Sequence, residues 1–302
     1  MIASSQHAYG VELSCEFREV EALWDGDGEL VHEALIADGA TLRVERGAAG
    51  DHLIRCGEHR FHLSADCSRL ACPRPTVPDP LWWGAFLDWV PYSAASLSGL
   101  LCIHAAGVLI DGRVLAVAAD AGAGKSTLAA ELLARGATFF CDDVLAVEPT
   151  GEGVVAHPGP RLAKVAAARP DLVERLGRPL GRAGEEVLVE VAGAAGPPSP
   201  IAAVVILDRS AEGAARPRLV EEGLPALRRL VVGLPGPADR ERQRFEALAA
   251  LVEAAPVVRL RAGAEVPAAT LARYLLEALR ADGDATGAIE SVAAAAPEAG
   301  DR

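Results

Sequence analysis

The sequence predicts an α/β protein: a helix-covered core with a mixed sheet, preceded by a small antiparallel β-rich module. Three observations carry this. Residues 8–72 hold short runs of alternating polarity broken by turn residues. Residues 102–118 form two apolar runs joined by Asp111-Gly112, a strong hairpin signal. The second run leads through a glycine-bearing loop into an Ala/Leu-rich helix, and strands and helices follow it.

In chain order, residues 41–45, 52–56 and 60–63 read as strands, with turns at 47–51 and 57–58. Pro73, Pro75, Pro78 and Pro80 make a breaker-rich connection. Residues 81–100 read as helical, with Pro91 ending or kinking the first helix. Trp82, Trp83, Phe86, Leu87 and Trp89 cluster there and read as core or as a seam between domains, in preference to a ligand platform. After the hairpin and loop, residues 126–135 are a helix that Gly136 closes. Residues 137–141 are a short buried strand ending in Asp142-Asp143, and 144–147 continue extended. Strands are expected at 153–157, 186–191, 201–207 and 256–260, with helices over most of 221–254 and over 268–280. The domains expected are 1–80, the β-rich module; 81–281, the core; and 282–302, an Ala/Gly/acid-rich disordered tail.

Just over half of the 302 residues are apolar, and the net charge is −13. Nucleic-acid binding needs a basic face, and no Lys/Arg run supplies one. Cys15, Cys56, Cys67, Cys72, Cys102 and Cys141 lack metal-ligand spacing and read as free thiols in a reducing cytoplasm. The first residues lack a signal-peptide pattern, and no stretch has the length of a membrane span.

The chain contains two lysines, Lys125 and Lys164; every other basic side chain of fixed charge is arginine. Lys125 lies in Ala121-Gly122-Ala123-Gly124-Lys125-Ser126-Thr127, which matches Gly-x-x-x-x-Gly-Lys-Ser/Thr except that Ala119 replaces the first glycine. Glycines let backbone amides approach phosphate oxygens, and a compact ammonium reaches the β- and γ-phosphates. The helix N-terminus adds unpaired N–H groups and its dipole. Ala119 is tolerable if its φ stays negative. The segment therefore reads as a P-loop that binds ATP, with Ser126 on Mg²⁺.

Asp142-Asp143 follows Lys125 by one helix and one strand, so the pair is expected beside the loop. One carboxylate suits magnesium and the other suits an attacking hydroxyl. Neighbours on a strand point to opposite faces, so both act only if the chain bends there.

Residues 103–113, the loop, and the segment 132–144 (Leu-Leu-Ala-Arg-Gly-Ala-Thr-Phe-Phe-Cys-Asp-Asp-Val) resemble the C-terminal kinase domain of HPr kinase/phosphorylase. They resemble the HPr-kinase-like proteins more closely, some of which accompany peptide biosynthesis systems. The specific resemblance covers about residues 81–150. It implies a phosphoenolpyruvate-carboxykinase-like nucleotide fold and ATP-dependent phosphorylation of a serine on a small protein or peptide. It also implies that His104 faces the active site and that Asp142 and Asp143 serve catalysis and metal binding, with Asp142 as base and Asp143 in reserve. The resemblance does not extend to the bifunctional enzyme's Gly-rich segment beyond the acidic pair.

Two rival readings stand: a small-molecule kinase, and a non-catalytic nucleotide-binding regulator. Homo-oligomer formation is left open. Arg161 and Lys164 read as solvated surface charge, with phosphate contact as the alternative; Arg259 and Arg261 end an apolar strand within reach of a transferred phosphoryl group.

Overall fold

The structure, a computed structural model, describes residues 5–280 apart from 25, 37–38, 75–78, 121, 192–195, 211–216 and 235–237. Ala121 of the loop and the tail expected at 282–302 lie outside the described residues.

Seven strands make the first sheet: β1 (Ser5–Ala8), β2 (Val11–Phe17), β3 (Glu29–Leu35), β4 (Thr41–Arg46), β5 (His52–Cys56), β6 (His59–Leu63) and β7 (Arg69–Cys72). Period-two patterning is clean in β2, where Val11, Leu13 and Cys15 turn inward and Glu12, Ser14 and Glu16 outward. The sheet order is β1-β2-β7-β6-β5-β4-β3. The expected antiparallel sheet is corrected in one place, because β2 and β7 pair in parallel. The chain leaves β2 for the far edge at β3, and the five-strand meander then returns β7 beside β2 in the same direction.

The inner face of this sheet packs on a helical layer: α1 (Pro80–Gly84), a π-helical turn (Ala85–Trp89) and α2 (Val90–Leu97). Asp79 caps α1 by accepting from the amides of Leu81 and Trp82, and Pro80 occupies the first turn. Pro91 lies in the first turn of α2 and has no N–H to donate. The π-helical turn precedes this gap, so the expected kink takes that form. Trp82 and Phe86 stack at 4.6 Å and are buried, as the core reading of the aromatic cluster expects.

The larger sheet contains β8 (Leu101–His104), β9 (Ala106–Ile110) and β10 (Arg113–Ala119), followed after α3 (Lys125–Leu133) by β11 (Thr138–Cys141), β12 (Val144–Thr150) and β13 (Gly153–His157). A three-stranded sheet with its own helix comes next: β14 (Leu162–Ala166), α4 (Pro170–Leu176), β15 (Gly177–Ala183) and β16 (Glu186–Val191). The chain then rejoins the large sheet through β17 (Ser199–Asp208), β18 (Arg218–Glu222), α5 (Leu224–Arg228), β19 (Val231–Val232), α6 (Ala238–Ala254) and β20 (Val257–Arg261), and α7 (Ala268–Arg280) follows. The order is β11-β9-β10-β17-β13-β12-β8-β19, with β20 on β17 and β18 on β20. The whole is a mixed α/β fold with a β-rich N-terminal region.

At the Asp111-Gly112 turn both residues have positive φ, 49° and 78°, as a two-residue hairpin requires. β10 and β17 run in parallel, as do β17 and β20, so Ala119, Leu207 and Arg259 come together at their carboxyl ends. The helical reading of 221–254, with a break at 233–237, is corrected ahead of that break, where the end of β18, α5 and β19 stand in place of helix. β18 and β19 form because β20 and β8 offer pairing edges that are distant in sequence.

Candidate functional site

The loop joining β10 to α3 is built by backbone conformation. Gly122 and Gly124 have φ of 77° and 99°, in the left-handed region where a Cβ is strained. The amide of Ala123 donates to the carbonyl of Asp120 at 3.1 Å, which closes a tight turn. Lys125 opens α3, so the unpaired amides of its first turn border the loop. Ala119 ends β10 with its methyl in the core beneath α3, and it is not among the residues of positive φ. A Schellman closure ends the helix, with Gly136 at φ 98° and the amide of Ala137 on the carbonyl of Leu132.

β11 ends at Cys141, and the chain bends at Asp143, whose φ is 62°. That left-handed residue sends the two neighbouring carboxylates to different partners. Asp142 is buried, and both of its oxygens accept from backbone: Oδ1 from the amide of Asp143 at 3.0 Å and Oδ2 from the amide of Lys164 at 2.8 Å. Asp143 Oδ1 accepts from Lys125 Nζ at 2.7 Å, and Oδ2 from Lys164 Nζ at 2.8 Å. The two lysines of the chain thus meet on one carboxylate.

The network continues inward. Lys164 Nζ also donates to Asp88 Oδ2 at 2.9 Å, and Asp88 Oδ1 accepts from the Tyr9 hydroxyl at 2.5 Å. The lysine lies 5.2 Å from the centre of the Trp89 ring. Lys125, Lys164 and Asp88 expose 10%, 16% and 9% of their side chains, so these charges interact where water screens them little. Burial works against ionisation of Asp143, yet Lys164 and Lys125 hold its carboxyl well below the usual range. Burial and the Asp143 charge push the Asp142 carboxyl up. Burial opposes the Lys164 charge, and Asp88 and Asp143 overcome it, raising the ammonium above its ordinary value.

His104 ends β8, with its amide on the carbonyl of Leu230 at 2.7 Å. Burial, then Lys125, lowers its imidazole from the ordinary value, which favours the neutral ring at neutral pH. His104, Gly122, Gly124, Lys125, Ser126, Thr127, Asp143 and Lys164 line one cleft of about 380 Å³. Val165, Leu172 and Leu176 give it an apolar wall, and Glu186, whose carboxyl burial pushes up, lies at its rim.

The cleft therefore gathers His104, Asp143 and the described loop residues, except that Ala123 lies against the loop's other side and Asp142 is not in the lining. Lys164 is corrected from surface charge to buried ion-pair partner, and Asp88 was not singled out in the sequence at all. The available signal was the scarcity of lysine. Arg259 pairs with Glu222 and Arg261 with Asp208, both away from this cleft. Among the described residues no cluster of three His, Cys, Asp or Glu side chains suits a metal ion, all six cysteines are buried, and no helix is long and apolar enough to cross a membrane.

No protein-family model matches the chain, and no curated protein matches it. Among solved structures it is similar to the Hpr(Ser) kinase/phosphatase from Coxiella burnetii, with a TM-score of 0.36 and 14% sequence identity over 63% of this chain and 94% of that one.

Proposed function

We propose that the chain is an ATP-dependent kinase in which the β10–α3 loop is a P-loop and the acceptor is a hydroxyl, a serine of a small protein or peptide. The observation that carries this is the convergence of Lys125 and Lys164 on Asp143 beside two left-handed glycines and a helix N-terminus. Loop amides and the first turn of α3 hold the phosphates, and Lys125 turns from Asp143 to the β- and γ-phosphates. That movement takes away one of the two cations that depress the Asp143 carboxyl and makes it a better proton acceptor.

The acceptor hydroxyl gives its proton to Asp143 as its oxygen bonds to the γ-phosphorus. The bond from that phosphorus to the β–γ bridging oxygen breaks, and ADP leaves with the electron pair. Lys164 keeps Asp143 aimed, and neutral His104 orients the hydroxyl. The geometry favours Asp143 for the role that the sequence reading gave to Asp142, because the oxygens of Asp142 are occupied by two backbone amides. Mg²⁺ in phosphoryl-transfer sites takes one or two protein oxygens besides phosphates and water. Ser126 in the first turn of α3 fits that need, and the ion would supply charge neutralisation on the phosphates.

Turnover of γ-labelled ATP with candidate acceptor peptides tests this reading. Asp143→Asn is expected to lower turnover by about 10²–10⁴, the usual contribution of general acid–base catalysis. Its ATP affinity should stay within a few-fold of the parent's. A non-catalytic nucleotide-binding regulator would bind ATP and have no turnover to lose.

A further inference from the structure

A second cleft lies against the other side of the same loop. It measures about 340 Å³ and shares Ala119 and Asp120 with the first. Ala119 of β10, Leu207 of β17 and Arg259 of β20 bring the carboxyl ends of three neighbouring parallel strands to it. Open α/β sheets offer ligands a crevice in this position.

Its cations are Arg209, Arg229 and Arg259, whereas those of the first cleft are Lys125, Lys164 and Arg169, the last held by Asp171. Arg209 is held by the carbonyls of Ala264 and Val266 at 2.5 and 2.7 Å. Arg259 donates its Nε to Glu222 at 2.6 Å, and its terminal nitrogens take no part in that bond. Arg229 is exposed and has no side-chain partner among the described residues. Of the two acids present, Asp208 is engaged by Ser210 and Arg261, and Asp120 is exposed on the shared rim. On a chain of net charge −13, an anion is drawn only by a local group of cations such as this one.

We propose that this cleft binds the phosphate acceptor through a carboxylate carried near its reacting hydroxyl, with Arg229 and Arg259 as the receiving groups. The proposal rests on the kinase reading above and names the acceptor class for it. A planar guanidinium fork matches a carboxylate in two parallel hydrogen bonds, which an ammonium does not. Position gives the second argument. Lys125, Ser126 and Thr127 line the first cleft, while Ala123, from the leading half of the loop, lines the second. Leu230 lines the second cleft and accepts the amide of His104, which lines the first. A ligand anchored on the arginines therefore has a short path past Leu230 to His104 and Asp143. The carboxylate has two sources, an acidic side chain flanking a peptide serine or a small hydroxy acid.

The test uses the full chain at low ionic strength. A fluorescent hexapeptide with glutamates flanking a serine, and its glutamine counterpart, are titrated by anisotropy with and without a non-hydrolysable Mg-ATP analogue. Glycerate is titrated by calorimetry and as a competitor. The glutamate peptide is expected to bind at least about tenfold more tightly than the glutamine peptide, in line with the worth of charge-assisted bonds. Arg229→Glu should remove most of that advantage, and adding Arg259→Gln the rest. Affinity for the nucleotide analogue should stay within threefold. Tight glycerate binding that displaces the peptide assigns a small hydroxy acid; weak glycerate binding assigns the peptide. Equal affinity for the two peptides without Arg229-dependent glycerate binding overturns the proposal, as does an advantage that survives Arg229→Glu. Arg229 is exposed and has no partner among the described residues, so this variant reads out independently of folding. Peptide preference is also read without nucleotide, so a failure of ATP binding strikes the kinase reading and leaves the arginine cleft separately judged.

Discussion

The two sides of the β10–α3 loop carry different sets of cations. One cleft holds both lysines of the chain, buried and joined by one carboxylate, with Arg169 tied to Asp171; the other holds only arginines, of which one is fixed to carbonyls and one is exposed without a partner among the described residues. An ammonium with three rotatable donors exchanges partners easily, whereas a guanidinium offers a rigid fork. Under the proposed function, exchange falls to the lysine side, where phosphates would compete with Asp143, and recognition of a planar anion to the arginine side.

The comparison breaks first at Lys125. Lys125→Ala is expected to weaken Mg-ATP binding about 100-fold, equivalent to roughly 3 kcal/mol for a charge-assisted bond shielded from water. Calorimetry on folded protein decides it, and unchanged affinity would remove the lysine cleft from the nucleotide reading. Stability comes next. Lys164→Met leaves Asp88 and Asp143 without their shared ammonium, and breaking such a buried arrangement costs about 3 kcal/mol, to be read from urea unfolding. A loss below about 0.5 kcal/mol would class the lysine with surface charges.

The smallest effect is in pH. Because the Asp143 carboxyl is depressed in the folded chain, its pairing adds stability that is complete above the ordinary carboxylate value near 4 and is lost as pH falls toward the folded value. The stability gap between the parent and Asp143→Asn should therefore narrow as pH drops below about 4. Raised Asp142 runs the other way and does not produce that narrowing. A gap that stays constant into acid would mean that the carboxylate is not held by the lysines.

What the sequence revealed follows the range of the interactions concerned. The Asp111-Gly112 hairpin, the helix closed by Gly136 and the glycine loop are set by backbone preferences within a few residues, and each is found where expected. The small sheet of β14, β15 and β16 was legible only at β16, since its other strands form by pairing with it. Lys164 was misread because its carboxylate partners sit at 88 and 143, and nothing local to 164 marks them. The divergence of the Asp142 and Asp143 carboxylates to different partners depends on one positive φ, which an aspartate pair does not announce. The parallel pairing of β2 with β7 is likewise fixed by the path of the chain around the sheet.

The turn at Tyr9 and Gly10 has a consequence for the order of assembly. The Tyr9 amide donates to the carbonyl of Pro158 at 2.8 Å, its hydroxyl holds Asp88, and a Cβ on Gly10 would meet the His157 ring at 2.9 Å. The start of the chain thus waits for partners synthesised much later, and such long loops close slowly. During synthesis the first hairpin can pair its own strands, but it gains its anchor only after residue 158 has emerged. The strands around Tyr9 are therefore made well before their anchor and settle only after it.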